Sequence, residues 1–255
     1  MIILKKFIYI IWILLFGLLI HSCSSGLKVT TDIDNPQEAF NIAMKNYKNE
    51  DYLQAIQDFS YIKIKFSGSN VVDKSQYYLA MSYFNRKEYI LAAYEFENML
   101  KNYPVSDLIV QARYNYAMCY YNLSPKWSLD QIYTKIAINE FLNFISLYPK
   151  DKLARDAQAK IAELRNKLAY KLLQNGKLYL DMVNYKSAII YFDYVLNDYF
   201  DTDYAEEALY WKIYSLIKRL KNTEAIHEIE RFEKKFPKGK YYKDVQKLKK
   251  DVWYQ

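Results

Sequence analysis

The sequence predicts an all-α protein, a superhelical solenoid of about five helical hairpins, and three observations carry that prediction. Small residues recur in matched pairs along the chain: Ala43 with Ala55, Ala80 with Ala92, Ala117 with Ala137. Helix breakers are scarce, with five Gly and five Pro among 255 residues, which argues against a many-turned all-β protein. Turn signals separate apolar, helix-compatible stretches at Asn49-Glu50-Asp51, Ser67-Gly68-Ser69-Asn70, Asn102-Tyr103-Pro104, Tyr148-Pro149-Lys150-Asp151 and Asp201-Thr202-Asp203.

The first segment has a different character. Lys5 and Lys6 precede a run of fourteen residues, Phe7 to Ile20, that is apolar apart from Gly17 and the hydroxyl of Tyr9. A membrane span needs about 20 apolar residues, so this run is short for one. Its charged start and apolar middle are those of a secretory signal peptide. The run ends at Ile20-His21-Ser22-Cys23, which resembles a bacterial lipobox, although His21 departs from the usual residue at its position. The resemblance implies that Cys23 is diacylated and becomes the first mature residue. Two acyl chains hold a protein firmly where one binds marginally, at about 0.8 kcal/mol per buried methylene. Ser24 to Asn35 is a polar tether without helical periodicity, and no acid precedes Asp32.

Behind the tether a ladder of residues repeats. Ala43, Ala55 and Phe59 begin it, and Ala80, Tyr83, Ala92, Phe96, Met99 and Pro104 repeat it. A third copy reads Ala117, Tyr120, Ala137, Phe141, Phe144 and Pro149, with eight extra residues between its two helices. The fourth is Gly176, Tyr179, Ala188, Phe192 and Val195; a degenerate fifth is Ile213, Leu216, Ala225, Ile229, Phe232 and Pro237. The ladder resembles the tetratricopeptide pattern, in which small residues sit where two helices cross and a proline closes the unit. Ser67 and Phe200 replace that proline in copies one and four, and the usual early tryptophan is missing. A lone hairpin cannot bury its apolar face, so such units stack. Between Leu153 and Leu180 the only breaker is Gly176, and Ala154, Ala157, Ile161, Leu164, Leu168 and Leu172 keep helical spacing. One helix of about 40 Å is expected there, serving copies three and four together. The chain thus divides into a lipoprotein signal peptide (1–22), a lipidated tether (23–35), about three N-terminal repeats (36–152), and a segment (153–255) holding the long bridging helix, about two C-terminal repeats and a capping helix.

A candidate binding surface follows from aligning the first helices of copies one to three on Ala43, Ala80 and Ala117. Three residues earlier stand Phe40, Tyr77 and Tyr114; one later, Met44, Met81 and Met118; four later, Tyr47, Phe84 and Tyr121. Spacings of four and three put each trio on one helix face. Half of the six methionines stand in this row, and a groove floored by Met and aromatic rings repacks around many apolar peptides. The same pattern suits side chains packed against the next hairpin, and exposure separates the two readings.

Catalytic and metal-binding patterns are lacking. His21 falls in the signal peptide, which leaves His227 alone, and no HExxH, GxSxG, phosphate-cradling loop or paired cysteine set occurs. No enzyme activity, cofactor or metal is expected. Cys119 stands in an aromatic helix and reads as a buried apolar residue, and Glu206-Glu207 as acids of a helix first turn. The formal charge is +7, or +5 without Lys5 and Lys6, and Arg231 to Lys250 carries nine basic residues against two acids. A solvated capping helix accounts for that stretch, as does contact with acidic lipid or protein. Export excludes nucleic acid as a partner.

Several stretches carry a more specific resemblance: Tyr148-Pro149 through Ala157, Ile161-Ala162-Glu163-Leu164-Arg165, Leu168-Ala169, Gly176-Lys177-Leu178-Tyr179, Asn184 to Ile189, Glu206 to Leu209, and the extended third repeat at Asp130-Gln131. Together they resemble the BamD family of outer-membrane assembly lipoproteins, with Phe200 in place of that family's proline. The resemblance implies a lipid-anchored scaffold at the periplasmic face of the outer membrane. Its implied partners are a BamA-like barrel protein, through the latter's periplasmic domains, and unfolded β-barrel precursors received by the N-terminal repeats. A periplasmic tetratricopeptide adaptor, tying a cell-envelope enzyme or peptidoglycan to the outer membrane, fits the lipobox and repeats equally well.

Overall fold

Caps and turns decide where each helix begins. Asn35 accepts hydrogen bonds from the backbone N–H of Gln37 and Glu38, and Pro36 occupies the first turn, so α1 (Pro36–Lys48) starts there. The Asp51 carboxylate caps α2 (Tyr52–Lys65) through Gln54 N–H. The computed structural model describes residues 33–253; the expected signal peptide, Cys23 and most of the tether lie outside them. The remaining helices are α3 (Val72–Asn85), α4 (Tyr89–Asn102), α5 (Ile109–Leu123), α6 (Ile132–Leu147), α7 (Ala154–Asp181), α8 (Tyr185–Asp198), α9 (Ala205–Lys218), α10 (Asn222–Lys235) and α11 (Tyr242–Trp253). All regular structure among the described residues is helical, two helices per repeat copy with α11 after the last. The expected bridging helix is α7, at 28 residues about 42 Å long.

A shared turn sets the repeat. Glu50, Val183 and Leu220 each stand between the paired helices of their copy, and Lys87 follows α3, all with φ of 57–63°. The next N–H reaches back five residues, Asp51 to the Asn46 carbonyl, Asn184 to Tyr179 and Lys221 to Leu216, which closes the helix end and aims the chain into its return. Ala43, Ala80 and Ala117 follow one another at 37 residues, as do Gly176 and Ile213. In the third copy the surplus chain replaces this turn.

Two compact units divide at Arg86/Lys87. In the first, α2 packs on α1 and α3, and α1 also meets α3. Its core is Ala39, Ala43, Ala55, Phe59, Ile62, Val71 and Leu79. In the second unit each helix from α4 to α11 packs on its neighbours in the chain, and α9 also meets α7 and α11. That unit holds one cluster of Ala117, Ala137, Phe141, Phe144, Ala157 and Leu164, and another built on Ala169, Leu173, Ala188, Phe192, Val195, Ile213, Ile229, Phe232 and Val245. Helix α7 contributes to both. Phe59, Phe96, Phe141 and Phe192 occupy one ladder position and are fully buried, each worth about 2–3 kcal/mol of transfer energy. The small residue opposite is a steric requirement: a Cβ on Gly176 would clash with the Phe192 ring.

Candidate functional site

The nine residues of the Met and aromatic row are all half-buried, neither core nor free surface. In the first unit Phe40, Met44 and Tyr47 pack on the rim of the hydrophobic cluster. The Phe40 ring lies 5.9 Å from Phe59 and 6.2 Å from Tyr78, and Tyr47 lies 5.2 Å from Tyr78. Asn85 donates to the Tyr47 hydroxyl at 3.1 Å, and burial raises that phenol. Tyr77 meets Tyr78 edge-on at 5.3 Å, and Met81 and Phe84 share its helix, α3. In the second unit Tyr114, Met118 and Tyr121 pack on the hydrophobic cluster, and the two tyrosines are tied to α7. The Tyr114 hydroxyl donates to Asp156; the Tyr121 hydroxyl donates to Glu163 at 2.8 Å and accepts from Lys160 at 3.2 Å. Burial, with the Asp156 carboxylate beside it, raises the Tyr114 phenol well above its ordinary value. The row thus lies on an apolar rim in the first unit and on a polar lattice in the second.

A second surface comes from the surplus chain of the third copy, residues 124–131. Gln131 is buried, and its amide donates to the carbonyls of Lys126, Leu129 and Trp127 at 2.9, 2.9 and 3.3 Å. Its oxygen accepts from Thr134, whose hydroxyl also meets Ser124 at 2.6 Å. From α7, Lys167 donates to the Ser124 hydroxyl at 2.8 Å and Lys171 to the Leu129 carbonyl at 2.5 Å. The loop is therefore fixed from inside and from α7. It lines an open cleft of about 560 Å³ with Glu163, Asn166, Lys167, Tyr170 and Tyr204. Trp127 stands edge-on to Tyr170 at 5.1 Å, and Tyr170 lies 5.1 Å from Tyr204. The eight-residue surplus is visible in the sequence, but Trp127, Lys167, Tyr170 and Tyr204 are not among the expected site residues. Only a tryptophan inside an insertion hints at them.

Cys119 is fully buried, and burial alone pushes its thiol far above the ordinary range, which leaves it inert. Glu206 and Glu207 do open α9. Both also bind side chains or backbone beyond that first turn. Glu206 accepts the Tyr241 N–H at 2.7 Å, and Glu207 pairs with Lys177 at 2.9 Å and accepts from the Trp211 indole at 3.2 Å. Among the described residues no helix is long and apolar enough to cross a membrane.

Paired helices, ringed surfaces and hydroxyls held by carboxylates define a helical-repeat scaffold of tetratricopeptide-like hairpins. The chain belongs to the YfiO family of outer membrane lipoproteins, whose model matches residues 32–223. It is BamD-like: over 122 residues it is 30% identical to the outer membrane protein assembly factor BamD of Rickettsia prowazekii (strain Madrid E). That alignment covers 48% of this chain and 49% of the relative, so the chain spans about half the length of the curated protein it matches. Solved structures with similar helices include the TPR2AB domain of yeast Sti1 in its Hsp90 complex, 14% identical over 79% of this chain and 78% of that one at a TM-score of 0.42. A tetratricopeptide repeat protein of Parabacteroides merdae is 13% identical over 85% of each chain at a TM-score of 0.39. Neither superposition is close enough to add to the family assignment. Family and fold are of scaffold type.

Proposed function

We propose that this chain is a lipid-anchored, non-catalytic subunit of a machine that assembles β-barrel proteins into the outer membrane, acting from the periplasmic face. The observation that carries the reading is the family match across residues 32–223, joined to a relative whose name is that of an assembly factor. On this reading Cys23 bears palmitate or a similar acyl pair after signal-peptide cleavage, and a BamA-like barrel protein docks through its periplasmic domains. The N-terminal repeats receive unfolded barrel precursors along the row Phe40, Met44, Tyr47, Tyr77, Met81, Phe84, Tyr114, Met118 and Tyr121. Half-burial suits such a role, because these side chains are anchored by their own core yet keep an open edge for a passing apolar segment.

Affinity purification from native envelope tests the assignment. Recovery of a large outer-membrane barrel with periplasmic repeats supports it; a cell-wall hydrolase or glycan in its place supports the adaptor alternative. Changing Met81 and Phe84 together to Ser should weaken precursor capture by about tenfold or more, with helix content and membrane attachment retained. Unaltered capture by that double variant would remove the row from the proposal.

A further inference from the structure

The cleft beside residues 124–131 combines three properties that a structural loop does not need together. The first is an excess of positive charge, Lys126 and Lys167 against Glu163 in the lining. Most half-buried cations of the second unit meet a carboxylate: Lys177 meets Glu207, Lys212 meets Asp193 and Glu228, and Arg165 meets Asp201. Lys167 and Lys171, one helical turn apart, instead bond only to neutral oxygens of the loop, and no carboxylate pairs with either among the described residues. Glu163 also lines the cleft, with its carboxylate turned to the Tyr121 hydroxyl and within reach of the Lys160 charge. Burial lowers the Lys167 ammonium, with Glu163 opposing at longer range, so its charge is held at a cost that an incoming anion would relieve.

The second property is an aromatic series with a free end. Trp127, Tyr170 and Tyr204 succeed one another at 5.1 Å, and Trp127 is 38% exposed. A further ring adds to such a series in edge-to-face or tilted geometry. The third is preorganisation: three bonds from the Gln131 amide and two lysines from α7 fix the loop before anything binds, so a ligand meets little ordering cost. The volume, about 560 Å³, is that of an ordinary ligand site.

We infer that this cleft is a docking site for an extended segment of a partner protein that presents a carboxylate beside an aromatic side chain, the carboxylate meeting Lys167 and the ring joining Trp127 and Tyr170. The inference stands apart from the assembly role, since it rests on the second unit's own surface and not on the Met and aromatic row. A stacking wall with lysines also suits single-stranded nucleic acid, but membership in a family of outer membrane lipoproteins favours a protein segment.

The test uses the full chain and an acetylated, amidated peptide Gly-Ser-Asp-Phe-Ser-Gly, followed by calorimetry and tryptophan fluorescence. Peptides with Asn for Asp or Ala for Phe, and an oligothymidylate of eight nucleotides, serve as comparisons. Saturable binding is expected for the Asp-Phe peptide, falling about tenfold with either altered peptide and weakening with added salt. Lys167→Arg should retain binding, whereas Lys167→Gln should lose it by a similar factor and treat Asp and Asn alike. Trp127→Ala, at an exposed loop position, should remove the preference for Phe over Ala. Equal binding of the Asp and Asn peptides, unaltered binding by Lys167→Gln or Trp127→Ala, stronger binding of the oligonucleotide, or no saturation by about 1 mM peptide would each overturn the inference.

Discussion

Val183 and Leu220 hold a left-handed backbone at φ 57° and 59°, a conformation that costs an L-residue with a bulky side chain about 1–2 kcal/mol. Val183 is 67% exposed, so its side chain returns little of that cost by burial. Val183→Gly should therefore raise stability by about 1 kcal/mol, read as a higher urea midpoint at unchanged slope. Asn49-Glu50-Asp51 announces its turn in the sequence, but Val183 and Leu220 give no such signal. Their conformation is imposed by the two packed helices that the turn joins, and local propensity is overridden. Lys212 is a second residue whose role is spatial. Its ammonium lies 2.7 Å from both Asp193 and Glu228, with Lys212 and Glu228 side chains 13% and 12% exposed. Burial works to raise the Glu228 carboxyl, but the bonds from Lys212, with Arg231 beyond, hold it below the ordinary 4.5. A depressed carboxyl contributes stability above its unfolded value and loses it as pH falls through the folded one. Lys212→Met should thus cost about 2 kcal/mol at neutral pH, with the deficit against wild type shrinking below about pH 4.5. A deficit independent of pH would exclude Glu228 as the group left uncompensated.

At the scale of elements, the crossing of α7 and α8 is legible in the residue order and the loop is not. Ala43, Ala117 and Gly176 mark in the sequence where first helices meet second ones, and the structure buries all three, as it does Ala80. The reason is close approach, and Gly176 shows how close. In an exposed helix Gly→Ala stabilises by about 1 kcal/mol. Here the added methyl would enter the Phe192 ring, whose face is fully buried. Gly176→Ala should therefore destabilise by about 1–2 kcal/mol net, overpacking outweighing propensity, and thermal unfolding would record the fall. The surplus in the third copy is equally visible as a count of residues, yet its conformation is hidden. Gln131 fixes it by bonding to three carbonyls that any residue could have supplied, so no side-chain pattern announces the cleft.

For the whole molecule, the family, the hairpins and the long helix can be read from residue order, whereas the degree of exposure along the Met and aromatic row cannot. Periodicity says which residues share a face, and only packing says how far a neighbour covers it. Cys23→Ser should release the chain from membranes into the soluble fraction, since one acyl pair is the expected hold and among the described residues no helix can span a bilayer. Retention of that variant on membranes would point to another attachment, with the nine basic residues of Arg231 to Lys250 the first place to look. Helix α7 has a consequence for how such chains can vary. Its first half fills one cluster through Ala157 and Leu164, its second half another through Ala169 and Leu173. A single residue added between Leu164 and Leu168 would turn one half against the other by about 100°, emptying one cluster or the other. The same addition within 124–131 would only lengthen a loop. Length polymorphism among relatives should therefore gather in that loop and be barred from the middle of the long helix, which keeps the reading frame of two cores at once.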